Sequence, residues 1–288
     1  MQLFVSTTFY QQTATNVTEV LRKLKGLDID GVELGSTHIY RSDIEDVIKK
    51  EWDKRIVTHN FFPPTKDKNF VMNISSNNSE IRNQSVDHAS YCLKVAANIG
   101  AEVYTVHPGF MATPNLNDQV TNTYDFNFGS EKVKKEIAFS NMLESITRLI
   151  DVAKENKIKL AIETEGSLTK PGVLLMETMD EYDQLFSCFP AGIHINLNLS
   201  HTRFASIEHG YTVNEFINCY KDYICLVEVS HNNSKIDQHR PLIKGSFVFD
   251  HLSFLPDVPH ILEFRNSSIE QIEDSVKLIR TYSNQDGE

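Results

Sequence analysis

Five histidines, two glutamates and an aspartate stand at or just past the ends of six short β-rich runs. They are His59 in VTHN, His107 in YTVHP, Glu163 in LAIETEG, His201 in LNLSH, His231 in VEVSHNN, Asp237 and His239 in DQH, and Glu263 in ILEF. The chain has 11 histidines in all, so nearly half of them belong to this set. Imidazole nitrogen combined with carboxylate oxygen suits zinc, manganese or iron(II), whereas calcium prefers oxygen alone. A single strand-end histidine is more often a hydrogen-bonded structural group than a ligand. For the whole set to be structural, many such coincidences would have to hold together, and a metal enzyme is the simpler expectation.

Side chains two apart on a strand share a face, so parity tests whether these groups point inward. Ala161, Glu163 and Glu165 share one face, as do His194, Asn196 and Asn198, and Ile261, Glu263 and Arg265. A carboxylate buried on such a face without a partner is costly enough that it takes up a proton or binds a cation.

The elements that must position these residues alternate along the chain. β-rich runs at 2–9, 31–36, 55–60, 102–109, 159–166, 192–201, 224–232 and 260–266 are separated by helical apolar spacing, for example Val17, Val20, Leu21 and Leu24. Longer amphipathic patterns run from Ser79 to Ile99 and from Ser130 to Lys157. Strand then helix, repeated eight times in 288 residues, predicts an α/β single-domain (β/α)8 TIM barrel over 1–288, with its active site at the C-terminal ends of the strands. A doubly wound sheet usually carries a Gly-rich phosphate loop after its first strand, and here STTFYQQTATN has no glycine. The loops after the third and fourth strands exceed the roughly 2–6 residues usual for such units. Their Phe61, Phe62, Tyr124, Phe126 and Phe128 are expected either to wall a substrate pocket or to pack the loops onto the rim.

The formal charge of −11 disfavours a nucleic-acid partner over most of the surface, although bound cations can make one face locally positive. Four cysteines, Cys92, Cys188, Cys219 and Cys225, show no C-x-x-C pairing and read as reduced. No apolar stretch of about 18 residues and no basic leader is present, so a cytoplasmic protein without a membrane partner is expected.

With these residues in place, the chain resembles the xylose isomerase-like TIM-barrel superfamily. It is similar in particular to the endonuclease IV branch of apurinic-site endonucleases and to its sugar isomerase and epimerase relatives. The most specific element is D-x-H-x-x-L-x-x-G, here Asp237, His239, Leu242 and Gly245, preceded by His231. The resemblance implies one to three divalent ions (Zn, Mn or Fe). His59, His107 and Glu163 would hold the first. Glu163, position 198, His231 and Glu263 would hold the second, and His201, Asp237 and His239 the third. The family's D-x-x-H appears here as Asn198-Leu199-Ser200-His201, so the second ion is expected to be held more weakly, with Asn196 as a substitute ligand.

Two chemistries compete. In a sugar isomerase or epimerase, Glu163 and Glu263 would be the catalytic carboxylates that move a proton at carbon, and Arg265 or Lys244 would hold an anionic part of the substrate or form structural salt bridges. In an apurinic-site phosphodiesterase the ions would activate water. A barrel that only binds metal or ligand is a third possibility, which Asn198 allows. The enclosed aromatic loops and the acidic charge favour a small carbohydrate substrate over a duplex.

Overall fold

The computed structural model describes residues 1–10, 15–66, 71–115, 127–170 and 172–285. Eight parallel strands close into a barrel: β1 (Gln2–Ser6), β2 (Gly31–Leu34), β3 (Arg55–His59), β4 (Val103–Val106), β7 (Lys159–Glu163), β8 (His194–Asn198), β9 (Ile224–Val229) and β10 (Pro259–Leu262). They pair in that order, and β10 closes onto β1 through Gln2 opposite Pro259. The excursion after β4 carries a separate antiparallel pair, β5 (Ala112–Asn115) with β6 (Asn127–Lys132). The barrel is the architecture that the alternating sequence predicts.

Helices cover the outside with the faces their spacing prescribes. In α1 (Val17–Leu24), Val17, Val20, Leu21 and Leu24 are all buried. In α4 (Lys135–Asn156), Ala138, Met142, Ser145, Ile146, Leu149 and Ala153 repeat at intervals of three and four and face inward. The remaining helices are α2 (Ile44–Glu51), α3 (Ser79–Asn98), α5 (Met179–Cys188), α6 (Leu199–His209), α7 (Val213–Tyr220) and α8 (Ile269–Gln285). Among the described residues no helix is long and apolar enough to cross a membrane.

Inside the barrel the period of two separates a dry floor from a polar mouth. Phe4, Val57, Val103, Ala161, Leu226 and Ile261 form an apolar cluster of their own. Two residues further along the same strands stand Ser6, His59, Thr105, Glu163, Glu228 and Glu263, every one of them buried. Gly31 belongs to the floor, because a Cβ there would lie 2.3 Å from Cε1 of Phe4. Two residues beyond it, Glu33 enters the polar layer. One step in strand register therefore converts packing into chemistry.

One strand boundary differs from the sequence expectation, and the packing of the loop aromatics is resolved. The run predicted as strand over 192–201 ends at Asn198, whose Oδ1 accepts from the backbone N–H groups of Ser200 and His201 and starts α6. His201 thus sits in a first helical turn, and two helices, α6 and α7, connect β8 to β9. Phe62 is fully buried in the core, with its ring edge-on to His38 at 5.8 Å. Phe61 packs against the His88 ring at 4.6 Å, and Phe128 against Phe110 at 5.1 Å, whereas Tyr124 and Phe126 lie outside the described residues.

Candidate metal centre

The adjacent strands β3, β4 and β7 bring His59, His107 and Glu163 together. His59 Nε2 lies 2.7 Å and His107 Nε2 3.3 Å from the same oxygen, Glu163 Oε2. Glu165, just past the end of β7, accepts from His107 Nδ1 at 2.6 Å. A proton held on Nδ1 leaves Nε2 as the ligand atom facing Glu163, the usual carboxylate–imidazole support of a metal ligand. Burial alone would lower the His59 imidazolium, but Glu163, Glu33 and Glu263 outweigh it and hold it at about 9. Burial likewise opposes ionisation of Glu163, yet His107 and His59 keep it well below the usual carboxylate range.

A second cluster forms where α6 meets the loop after β9. Asp237 Oδ2 lies 2.5 Å from His239 Nε2 and 3.3 Å from His201 Nε2. His201 Nδ1 is 3.1 Å from Glu163 Oε1, so Glu163 touches both clusters. His239 adopts a left-handed backbone with φ of 45°, a conformation that costs a non-glycine residue energy and is more common at functional positions. Its Nδ1 lies 2.9 Å from Glu263 Oε2, outside hydrogen-bond geometry. Gly166 lets the loop after β7 press on α6, because a Cβ there would meet the His201 carbonyl oxygen at 2.1 Å.

Each cluster offers two imidazoles and one carboxylate, with ligand atoms within 4.8 Å of one another. That donor set fits a zinc, manganese or iron(II) ion, and Asp237 Oδ1, buried and without a hydrogen-bond partner among the described residues, is a further oxygen available to one. The other sequence candidates are placed differently. His231 bonds to Ser246 Oγ through Nδ1 at 3.1 Å, pairs through its backbone with Arg240, and belongs to neither cluster. Asn198 turns its amide nitrogen toward Glu163, Glu228 and Glu263 and uses its oxygen to cap α6. Asn196 donates to Thr105 Oγ1 and Glu228 Oε1, and its own oxygen has no partner among the described residues. Arg265 Nη2 is 3.9 Å from Asp237 Oδ2, and Lys244 is exposed.

The sequence profile of the xylose isomerase-like TIM barrel family matches residues 21–282. The chain belongs to that family. It is 23% identical over 286 residues to an uncharacterised protein of Methanocaldococcus jannaschii, covering 95% of this chain and 96% of that one. Among solved structures, a D-tagatose 3-epimerase-like protein is similar with a TM-score of 0.75 at 17% identity, over 99% of this chain and 97% of the other. Endonuclease IV from Thermus thermophilus is similar with a TM-score of 0.64 at 12% identity, over 99% and 100%.

On this xylose isomerase-like scaffold the mouth holds three acidic groups to which the sequence reading gave no role. Glu33 is fully buried, and among the described residues neither carboxyl oxygen has a hydrogen-bond partner; burial raises its pKa, His59 opposes the rise and Glu263 adds to it. Glu228 is pushed well above the carboxylate range by burial and then by Glu163, Glu263 and Glu33. Glu165 supports His107. Parity on GVELG would have found Glu33. On VEVSHNN attention to His231 hid Glu228, which lies an odd number of residues away and so faces the opposite side while the strand continues.

Proposed function

We propose that the chain is a divalent-metal-dependent isomerase or epimerase of a small sugar. The observation that carries this reading is the pair Glu163 and Glu263. These two buried carboxylates each lie 3.1 Å from the Asn198 amide nitrogen, between the two histidine clusters. Both are held below the usual carboxylate range against the effect of burial, Glu163 by His107 and His59 and Glu263 by His239, so both are ionised and able to accept a proton.

His59, His107 and Glu163 would hold one ion and His201, Asp237 and His239 another. Bound ions would supply Lewis-acid polarisation of the sugar carbonyl and its neighbouring hydroxyl. One glutamate takes the proton from the carbon beside that carbonyl, and the other returns a proton to complete the exchange. Arg265, half-buried beside Asp237, orients the substrate's oxygen atoms. The fold of the D-tagatose 3-epimerase-like protein supports a sugar as substrate. The acidic mouth supports a neutral one, because five buried glutamates, Glu33, Glu163, Glu165, Glu228 and Glu263, disfavour a phosphate backbone.

The test is a panel of ketoses and aldoses incubated in D2O with the manganese- or zinc-loaded protein, read by the appearance of deuterium at carbon. Exchange into at least one sugar is expected, with Glu163→Gln and Glu263→Gln each slowing it by about 10²–10⁴-fold. Near wild-type exchange in either variant removes that residue from proton transfer, and no exchange across the panel defeats the sugar reading. The second histidine cluster favours one other chemistry, phosphodiester hydrolysis. Incision of a duplex bearing an abasic site by the metal-loaded protein would establish it.

A further inference from the structure

Three buried carboxylates from three different strands converge on one atom. Asn198 Nδ2 lies 3.1 Å from Glu163 Oε1, 2.9 Å from Glu228 Oε2 and 3.1 Å from Glu263 Oε2. Acidic groups gathered this closely out of water require a cation, protons or strong donors between them. The orientation of the amide is fixed by chemistry. Asn198 Oδ1 accepts from the backbone N–H groups of Ser200 at 3.1 Å and His201 at 3.3 Å, and a backbone N–H can only donate. The oxygen must face the helix, and the NH2 must face the carboxylates. The backbone of Asn198 is pinned as well: its N–H donates to Thr164 Oγ1 and its carbonyl accepts from Thr202 Oγ1, both at 2.9 Å. An amide NH2 offers a metal no lone pair, and its two hydrogens repel one.

We propose that the Asn198 amide stands where a divalent ion would otherwise join Glu163, Glu228 and Glu263, so that the chain loads two ions, one in each histidine cluster, and excludes a third. This inference rests on the metal-dependent reading above and gives it a reason. With Glu163 Oε2 facing the first cluster, a third ion would take the remaining Glu163 oxygen, Oε1, together with Glu263 Oε2, whereas an amide donor leaves these oxygens able to take a proton.

Asn198→Asp tests it, because aspartate caps a helix as well as asparagine does and replaces only the two N–H groups with a ligand oxygen. Metal-free protein is equilibrated with excess manganese or zinc, freed of unbound ion by gel filtration and analysed for moles of metal per chain. Two ions are expected in the wild type and three in Asn198→Asp, with His107→Ala and Asp237→Asn each lacking one of the wild-type pair. A wild-type count other than two overturns the inference, as does Asn198→Asp unchanged from the wild type. A count of zero also defeats the metal-dependent reading. A count of two without sugar exchange leaves the role of Asn198 standing and defeats the sugar assignment alone. Melting curves give a second readout: added carboxylate charge lowers the metal-free melting temperature of Asn198→Asp, and manganese raises it by more than in the wild type. Equal increments in the two proteins overturn the inference.

Discussion

The two histidine clusters are of one chemical type but are held by different means. His59 and Glu163 end strands that are hydrogen-bonded to β4, where His59 lies opposite Thr105 and Ile162 opposite Val106. The spacing of His59 and Glu163 is therefore set by the sheet itself, with Glu163 only 1% exposed, and His107 follows directly on the end of β4. The second cluster hangs from the first turn of α6 and from an irregular loop, with His239 in a left-handed conformation and the Asp237 side chain 21% exposed. A site on paired strands is preorganised by the fold, whereas a site on a turn and a loop depends on local caps and strain. The first cluster is expected to be the tight, slowly exchanging one.

The sharpest way to separate the clusters is Glu165→Gln, which weakens the acceptor that orients His107. Loss of such a supporting carboxylate costs about 10–100-fold in metal affinity. Titration with a competing chelator should show that loss for one ion only, and an equal loss for both would mean that the clusters are not independent. A smaller, several-fold difference is expected from kinetics. When the fully loaded wild type is mixed with excess chelator, metal release should be biphasic, and Asp237→Asn should remove the faster phase. Disappearance of the slower phase instead would reverse the comparison.

The smallest effect is a pH dependence of the metal-free protein. His59 is raised to about 9 in the folded chain against 6.5 in the unfolded chain, so the folded state holds this proton more tightly. Its contribution to stability is complete below about 6.5 and is lost as pH rises through about 9. The melting temperature should therefore fall by a few degrees across that interval in metal-free protein. Bound metal takes the place of the proton, so the fall should shrink in the loaded protein. A flat profile in the metal-free protein would show that His59 is not held by Glu163 in solution.

The relation of sequence to structure was uneven, and the reasons are visible residue by residue. Barrel order was legible because each β-rich run is short and bounded by amphipathic helix, a pattern that leaves few other ways to bury both. His59, His107 and Glu163 were each legible as strand-end residues, but their grouping was only what the family resemblance implied. Asp237 and His239 were legible through their motif, but their approach to His201 depends on where β8 stops. That stop was misplaced by three residues, because Asn198 reads equally well as a strand residue or as a helix cap. Phe62 stayed open between pocket wall and rim packing because its loop position says nothing about burial, which its packing against His38 in the loop after β2 decides.

Composition and periodicity by themselves determined that eight strands would carry acidic and imidazole side chains to one end of a barrel, since a period of two obliges alternate residues to face inward. Only the tertiary structure decided which of those groups meet. Glu163, Glu228 and Glu263 are distant in sequence, and it is barrel closure that brings them to a single amide nitrogen. Whether that point holds a donor or a ligand follows from the cap of α6, which turns the oxygen of Asn198 away and leaves its two hydrogens facing the carboxylates.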